Sequence, residues 1–375
     1  MNGGDRQIHL SFSCHLTGAH PAGWLHPSTQ VDADVDIGAY KRMARVAEQG
    51  LFDLFFIADT PALRVENLDV WSRYPLFTNV LEPLTCLSAL AGATEHIGLG
   101  GTATTSFYEP YNVARLFASL DHISGGRAAW NVVTSANNYA ARNFGHAVLP
   151  PHAERYARAR EFVQVVLKLW NTWDDDAFVH DRTDARFYDP ARLHPIHHEG
   201  AHFKLDGGLN IGRTPQGQPV VIQAGASDAG KELAAETAEV VFGSATSLEK
   251  GIAYYRDLKG RMARYGRSPE ELKILAGISV TVGESEQEAL DKVETLKALM
   301  HPAVARMRLG MDLETDLSDL PYDEPIPVDR IPKSANLHTA YFNEIARMIR
   351  EEKLTLRQIA QRYERGSSAA RGTPK

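Results

Sequence analysis

Apolar positions recur along this chain with two periods, and the two alternate. Ile8 to Leu16 reads as a strand that ends at polar residues and His15. Asp36 to Gln49 carries Ile37, Tyr40, Met43, Ala44 and Ala47 at helical spacing and stops at Gly50. Leu51 to Ala58 is a short apolar run closed by Asp59, which predicts a buried strand with a carboxylate at its end. Glu82 to Ala93 reads as a helix, and Ile97 to Thr105 as a third strand with Thr102, Thr104 and Thr105 toward its end. After a helix over Tyr111 to Ile123, Arg127 to Val133 predicts a fourth strand, apolar except for Asn131. A long amphipathic helix follows over Ala153 to Trp170. Further strands are predicted over Pro219 to Gln223, Val240 to Gly243 and Lys273 to Val282. Helices are predicted over Asp228 to Glu239, Leu248 to Tyr265 and Ser285 to Met300.

Strands each followed by a helix, at βαβ spacing, predict an α/β fold with a parallel sheet. An open doubly wound sheet would carry a phosphate fingerprint after its first strand, and nothing after Leu16 resembles one. The expectation is a TIM (β/α)8-type barrel in a single domain over residues 1–365, with the eighth strand missing from the chain. Residues 171–218 form an insertion rich in aromatics and histidine, with a hairpin expected around Asp206-Gly207-Gly208. A second insertion, rich in Asp and Pro, covers residues 301–332. Two helices are expected near Ala335 to Glu352 and Leu356 to Arg365, and residues 366–375 read as a disordered tail.

Composition narrows the class. With 43% hydrophobic and 23% charged residues the chain has material for a large core, and its net charge of −7 argues against a general nucleic-acid binder. Its two cysteines, Cys14 and Cys86, suggest a reducing compartment. No apolar run approaches the ~18 residues of a membrane span, and the N-terminus lacks a signal-peptide core. A cytoplasmic location without membrane attachment is expected.

The candidate chemistry gathers at strand ends. Gly98 to Ala103 fits G-x-G-x-x-A, but those glycines lie inside a strand with no helix start behind them, so a dinucleotide site is rejected. Gly225-Ala-Ser227-Asp-Ala-Gly230 nearly fits the nucleophile elbow, which keeps a serine hydrolase at Ser227 in view. Ser227 also suits the N-cap of the helix after the fifth strand, alone or beside a phosphate. His152 and Tyr156 share a face at the positive end of the long helix, where an anion or plain solvent could sit. His194, His197, His198 and His202 lie in a loop segment without cysteine, so no metal is expected there. Asp174-Asp175-Asp176 reads as a solvated charge run. Asp59, Thr105, the loop after Asn131, and Ser227 all fall at C-terminal strand ends, which converge on one rim in a barrel. Phe12, Phe56 and Phe242 could supply an apolar wall. Apolar slot, polar rim and phosphate seat together suit a flavin mononucleotide.

The stretch Asp121-His-Ile-Ser-Gly-Gly-Arg-Ala-Ala-Trp-Asn-Val-Val-Thr-Ser135, with Asn143-Phe-Gly145, resembles the signature of the bacterial-luciferase-like, flavin-dependent monooxygenases. So do His20-Pro-Ala-Gly-Trp24, Phe56-Ile-Ala-Asp59, His152 to Ala159 and Pro215 to Ser227. The resemblance runs from Ile8 to about Arg365 and points to the branch of nitrilotriacetate monooxygenase, dibenzothiophene-sulfone monooxygenase and pristinamycin synthase. It implies a two-component enzyme that receives FMN as FMNH2 from a separate NAD(P)H:flavin reductase. O2 is then used to oxygenate a carbon, sulfur or nitrogen centre of a small organic substrate. It also implies that Asp59, Thr105 and Asn131 line the isoalloxazine, and that His152, Tyr156 and Ser227 hold the phosphate. His20, Phe12, Phe56 and Phe242 would face the substrate, with His20 and Asn131 as candidate catalytic groups. A homodimer or homotetramer is expected. A flavin enzyme that cleaves bonds in the same fold, and a non-catalytic flavin-binding protein, are the alternatives. The family usually continues past the point where Gly372-Thr-Pro-Lys375 ends the chain. Loss of strand eight would expose an edge on strands one and seven, from which weak FMN binding or aggregation is expected.

Overall fold

The computed structural model describes residues 7–362 apart from 136, 226, 244–246 and 335–338, with backbone alone for 339–341. The expected tail, 366–375, lies outside the described residues. The chain divides into two compact units.

The first unit comprises Met1–Cys14, Ala33–Leu63 and Val80–Ala276. It opens with β1 (Ser11–Ser13), α1 (Ile37–Gln49) and β2 (Leu54–Ile57). A short helix of the second unit, α2 (Leu68–Trp71), intervenes before α3 (Pro83–Ala91), β3 (Gly98–Thr104), α4 (Pro110–Ser124) and β4 (Ala128–Val133). Next come α5 (Asn138–Asn143) and the long α6 (His152–Trp170). A hairpin of β5 (Ile196–Glu199) and β6 (Lys204–Gly207) precedes β7 (Val220–Gln223), α7 (Asp228–Thr237), β8 (Val240–Gly243), α8 (Leu248–Met262) and β9 (Lys273–Ala276). Among the described residues seven strands form one parallel sheet in the order β1-β2-β3-β4-β7-β8-β9, with at least one helix in the crossover between each consecutive pair.

That sheet is curled into a barrel-like wall. β2 and β8 are separated by three strands in the sheet order, yet the rings of Phe56 and Phe242 lie 4.6 Å apart. Leu54, Phe56, Ala129 and Ile222 form the buried interior with Ala58, Val220, Val240 and Phe242 packed on it. The alternate residues point to the helices: Trp130, fully buried, packs on Phe117 of α4 and on Phe162 and Trp170 of α6, and its Nε1 donates to Ala103 O at 2.9 Å. The inner strands β2, β4 and β7, buried on both faces, read as continuous apolar runs, which is why the sequence pattern locates them.

Helix ends follow local chemistry. Glu82 caps α3 by accepting from Leu84 N and Thr85 N at 3.0 and 2.8 Å, with Pro83 at the first helical position. Gly125 ends α4 with φ +68°, a left-handed turn. The buried Asp121 carboxylate then accepts from Ala128 N at 2.9 Å and Gln216 Nε2 at 2.5 Å, which pins the start of β4 to the segment before β7.

The hairpin turn falls at residues 200–203, not around Asp206-Gly207-Gly208, where β6 ends. The reason lies on α6: Glu161 accepts from Phe203 N at 2.9 Å and His202 N at 3.0 Å, and His198 Nε2 lies 3.0 Å from its Oε1. The seventh sheet strand also ends earlier than predicted. Its last register pair is Gly243–Ala276, and Ile278, Val280 and Val282 beyond it are exposed.

The second unit comprises His15–Asp32, Arg64–Asn79 and Gly277–Lys375. It holds α2, α9 (Glu286–Leu299), α10 (Pro302–Leu313), α11 (Thr339–Arg347) and α12 (Leu356–Arg362). A single π turn, Met348–Glu352, follows α11. Helix α10 occupies the start of the second insertion. His301 caps it, and Val304, Ala305, Leu309 and Leu313 bury its inner face in a core shared with Leu317, Ile345, Ile349 and Ile359.

Candidate active site

Three groups of residues lie at the C-terminal ends of the strands of the first unit. The first is the interior polar pair. Asn131 stands on the same face of β4 as Ala129, so it points inward, and its register partner Thr102 points inward beside it. Asn131 Nδ2 donates to Thr102 Oγ1 at 2.9 Å, while its Oδ1 is buried and accepts no hydrogen bond among the described residues. Thr104 Oγ1 lies 2.8 Å from Ser135 Oγ and 3.2 Å from Val133 O. Thr105 turns its hydroxyl to Val133 O at 3.1 Å, and its own carbonyl accepts from Arg158 Nε at 3.2 Å.

The second group surrounds Asp59, just beyond β2. Burial pushes the Asp59 carboxyl up from 3.8 to about 6, the Glu82 charge adds to this, and the hydrogen bond from Thr60 N opposes it. Tyr108 shares the corner: burial first, then the charges of Glu82 and Asp59, push its hydroxyl up. Asn143 Nδ2 donates to Pro61 O at 3.1 Å, tying the end of α5 to the same loop. The Phe107 and Phe144 rings stack nearly parallel, with centroids 4.6 Å apart.

The third group is the seat formed by α6 and α7. Ser227 caps α7, its Oγ accepting from Gly230 N at 3.1 Å. Gly225 and Gly230 approach closely: a Cβ on Gly225 would lie 2.9 Å from Gly230 Cα. A Cβ on Gly230 would lie 3.1 Å from Tyr156 Oη and 3.2 Å from Ser227 Oγ. Tyr156 stands on the first turns of α6 with its ring 4.6 Å from that of His152, and among the described residues no side chain caps the N-terminus of α6. Tyr254 of α8 donates to Gly225 O at 3.1 Å and fixes the loop from behind. The outcome is a loop at two helix N-termini where two glycines pack together beside the Tyr156 and Ser227 hydroxyls, a grouping of donors that suits an anion.

The first unit therefore brings His152, Tyr156 and Ser227 together, and brings Phe56 to Phe242. Phe12 does not join them. It pairs in register with Phe55 and packs on Phe55 and Phe52, 5.4 and 6.1 Å between centroids, on the opposite face of the sheet from Phe56. His20 belongs to the second unit, where its Nδ1 accepts from Ala22 N at 3.1 Å. Glu82, Tyr108, Tyr254 and Arg158 are absent from the sequence-derived set. Glu82 carries a sequence signal, an acidic residue just before a helix-opening proline. The others reach their places by tertiary packing alone. Among the described residues no group of three His, Cys, Asp or Glu could hold a metal, and no helix is long and apolar enough to cross a membrane.

The profile of the family described as luciferase-like monooxygenase matches residues 14–371. The chain belongs to that family. It is 46% identical over 383 residues to nitrilotriacetate monooxygenase component A of Aminobacter aminovorans, a match that spans all of this chain and 84% of the relative. The solved structure of DmoA from Hyphomicrobium sulfonivorans superposes with a TM-score of 0.82 at 32% identity, over 97% of this chain and 78% of that one. A riboflavin lyase solved with a modified FMN and riboflavin superposes with a TM-score of 0.79 at 28% identity, over 95% and 78% of the two chains. The chain is thus a luciferase-like, flavin-dependent oxidoreductase of the monooxygenase type on a TIM-barrel scaffold. The hydroxyl of Ser227, read from sequence also as a hydrolase nucleophile, serves here as a helix cap beside Tyr156.

Proposed function

We propose that this chain is the oxygenating component of a two-component system. It takes FMNH2 from a separate NAD(P)H:flavin reductase and uses O2 to oxygenate a small organic substrate. The observation that carries this reading is the close packing of Gly225 on Gly230, which brings the Tyr156 and Ser227 hydroxyls together at the N-termini of two helices. A phosphate suits such a place, because hydroxyls, backbone N–H groups and helix dipoles all favour an anion there. Tyr156, His152 and Ser227 would hold the phosphate. The inward-facing Asn131, whose Oδ1 lacks a donor among the described residues, together with Asp59 and Thr105, would line the ring. Phe56 and Phe242 would form its apolar floor.

Bound FMNH2 would supply the two electrons that turn O2 and substrate into water and a product with one added oxygen atom. The protein's part is to seat, orient and exclude water. The Asp59 carboxyl, with its midpoint raised to about 6, can hold or release a proton near neutral pH. The test is oxygen uptake with NAD(P)H and a flavin reductase, screened over sulfones, aminopolycarboxylates, alkanes and chloroaromatics, with products read by mass. One class is expected to gain a single oxygen atom in an FMNH2-dependent way. Failure of the protein to bind FMNH2 would overturn the reading.

A further inference from the structure

The buried amide of Asn131 is half satisfied, and its unsatisfied half faces the barrel interior. The residue is 4% exposed. Its Nδ2 donates to Thr102 Oγ1 at 2.9 Å, and Thr102 Oγ1 lies 3.3 Å from Ile57 O, to which it donates. A hydroxyl has one proton. With that proton on Ile57 O, the Thr102 oxygen can only accept, so the amide is turned with its NH2 toward Thr102. Asn131 Oδ1 is left as a fixed acceptor among apolar neighbours, since Ala129, Ile222 and Val240 line the same region. A buried carbonyl without a donor is costly, and such groups in native proteins are nearly always matched. The partner this atom needs is an N–H or O–H.

We propose that Asn131 makes the site prefer reduced over oxidised flavin, its Oδ1 accepting from a ring N–H that only the reduced form carries. The proposal rests on the flavin reading above. Two-electron reduction adds a proton to a ring nitrogen and converts an acceptor into a donor. A fixed carbonyl oxygen repels the lone pair of the oxidised ring and binds the N–H of the reduced one. Because the Thr102–Ile57 chain stops the amide from turning over, the discrimination is built into the fold before the ligand arrives.

The test is anaerobic equilibrium titration with FMN and with photoreduced FMN on the wild type, Asn131→Leu and Thr102→Val, with thermal unfolding as the check on folding. The wild type is expected to bind the reduced form more tightly. Asn131→Leu is expected to shrink the ratio of the two dissociation constants about tenfold, equivalent to lowering the midpoint potential of the bound flavin by about 30 mV. Thr102→Val, which frees the amide to turn, is expected to shrink the ratio in the same direction, and it carries the test if Asn131→Leu does not fold. Equal weakening of both forms would mean that Oδ1 meets an N–H common to both states, and would overturn the proposal. An unchanged ratio would also overturn it. If the wild type binds neither form, the flavin reading itself fails.

Discussion

The Asp59 carboxyl makes a prediction whose size can be worked out. It is half-buried at the end of β2 beside Glu82, and its midpoint rises from 3.8 to about 6. At ~1.36 kcal/mol per pKa unit the charged form is penalised by about 3 kcal/mol, and by about 2 once partial solvation is allowed for. The folded state therefore holds the proton more tightly than the unfolded chain. Between pH 3.8 and about 6 the folded state binds more protons than the unfolded one, so this group's contribution to stability falls as pH rises. The penalty is absent below 3.8 and complete above about 6. Asp59→Asn removes the charge with little change of shape. The variant is expected to be more stable than wild type by about 2 kcal/mol at pH 7.5, and by much less at pH near 4. Urea denaturation of both proteins, free of flavin and followed by tryptophan fluorescence, measures this. Taking the variant-minus-wild-type difference at each pH cancels the other carboxylates, such as Asp257, whose midpoint is lowered to about 2 first by Arg261 and then by Lys231. A gain of equal size at both pH values would mean that Asp59 is not a buried, titrating carboxylate, because only titration makes the gain pH-dependent. Added FMNH2 should reverse the ranking if Asp59 lines the flavin ring.

Other positions give sharper local tests. Gly230→Ala puts a Cβ 3.0 Å from Gly225 Cα and 3.1 Å from Tyr156 Oη; it should lower FMN affinity about tenfold at a stability cost of about 1–3 kcal/mol, and unchanged affinity by equilibrium titration would count against the phosphate seat. Ser227→Ala removes the cap on Gly230 N and should destabilise α7 by about 1 kcal/mol while also weakening FMN, so a loss of stability alone would leave Ser227 as a plain cap. Trp130→Ala empties a fully buried site between α4 and α6 and should destabilise by about 3–5 kcal/mol, readable as a fall in urea midpoint.

How much of this is legible in the sequence depends on the kind of fact sought. The inner strands β2, β4 and β7 stand out because they are buried on both faces, and Asn131 stands out for being polar among them. The helix starts at Pro83, His152 and Ser227 are marked by their own residue types. What cannot be read is which side of a strand faces inward. Phe12 and Phe56 look alike in sequence, yet strand alternation puts Phe56 in the interior and Phe12 behind it with Phe55. The hairpin turn is misplaced because Gly207-Gly208 is the stronger local signal, whereas the actual turn is held from outside the segment by Glu161. The surroundings of Asp59 are invisible for the same reason. Glu82 and Tyr108 come from other parts of the chain, and only folding brings their charges together.

The function proposed above stands or falls with a phosphate-dependent flavin site in the first unit. Anaerobic titration of the purified protein with FMNH2 and with reduced riboflavin, which differ only by the phosphate, tests it most directly. FMNH2 is expected to bind more tightly by at least about tenfold, as one or two charge-assisted hydrogen bonds supply, and Tyr156→Phe and Gly230→Ala are each expected to narrow the gap. Equal affinity for the two ligands, or binding of neither, would contradict it.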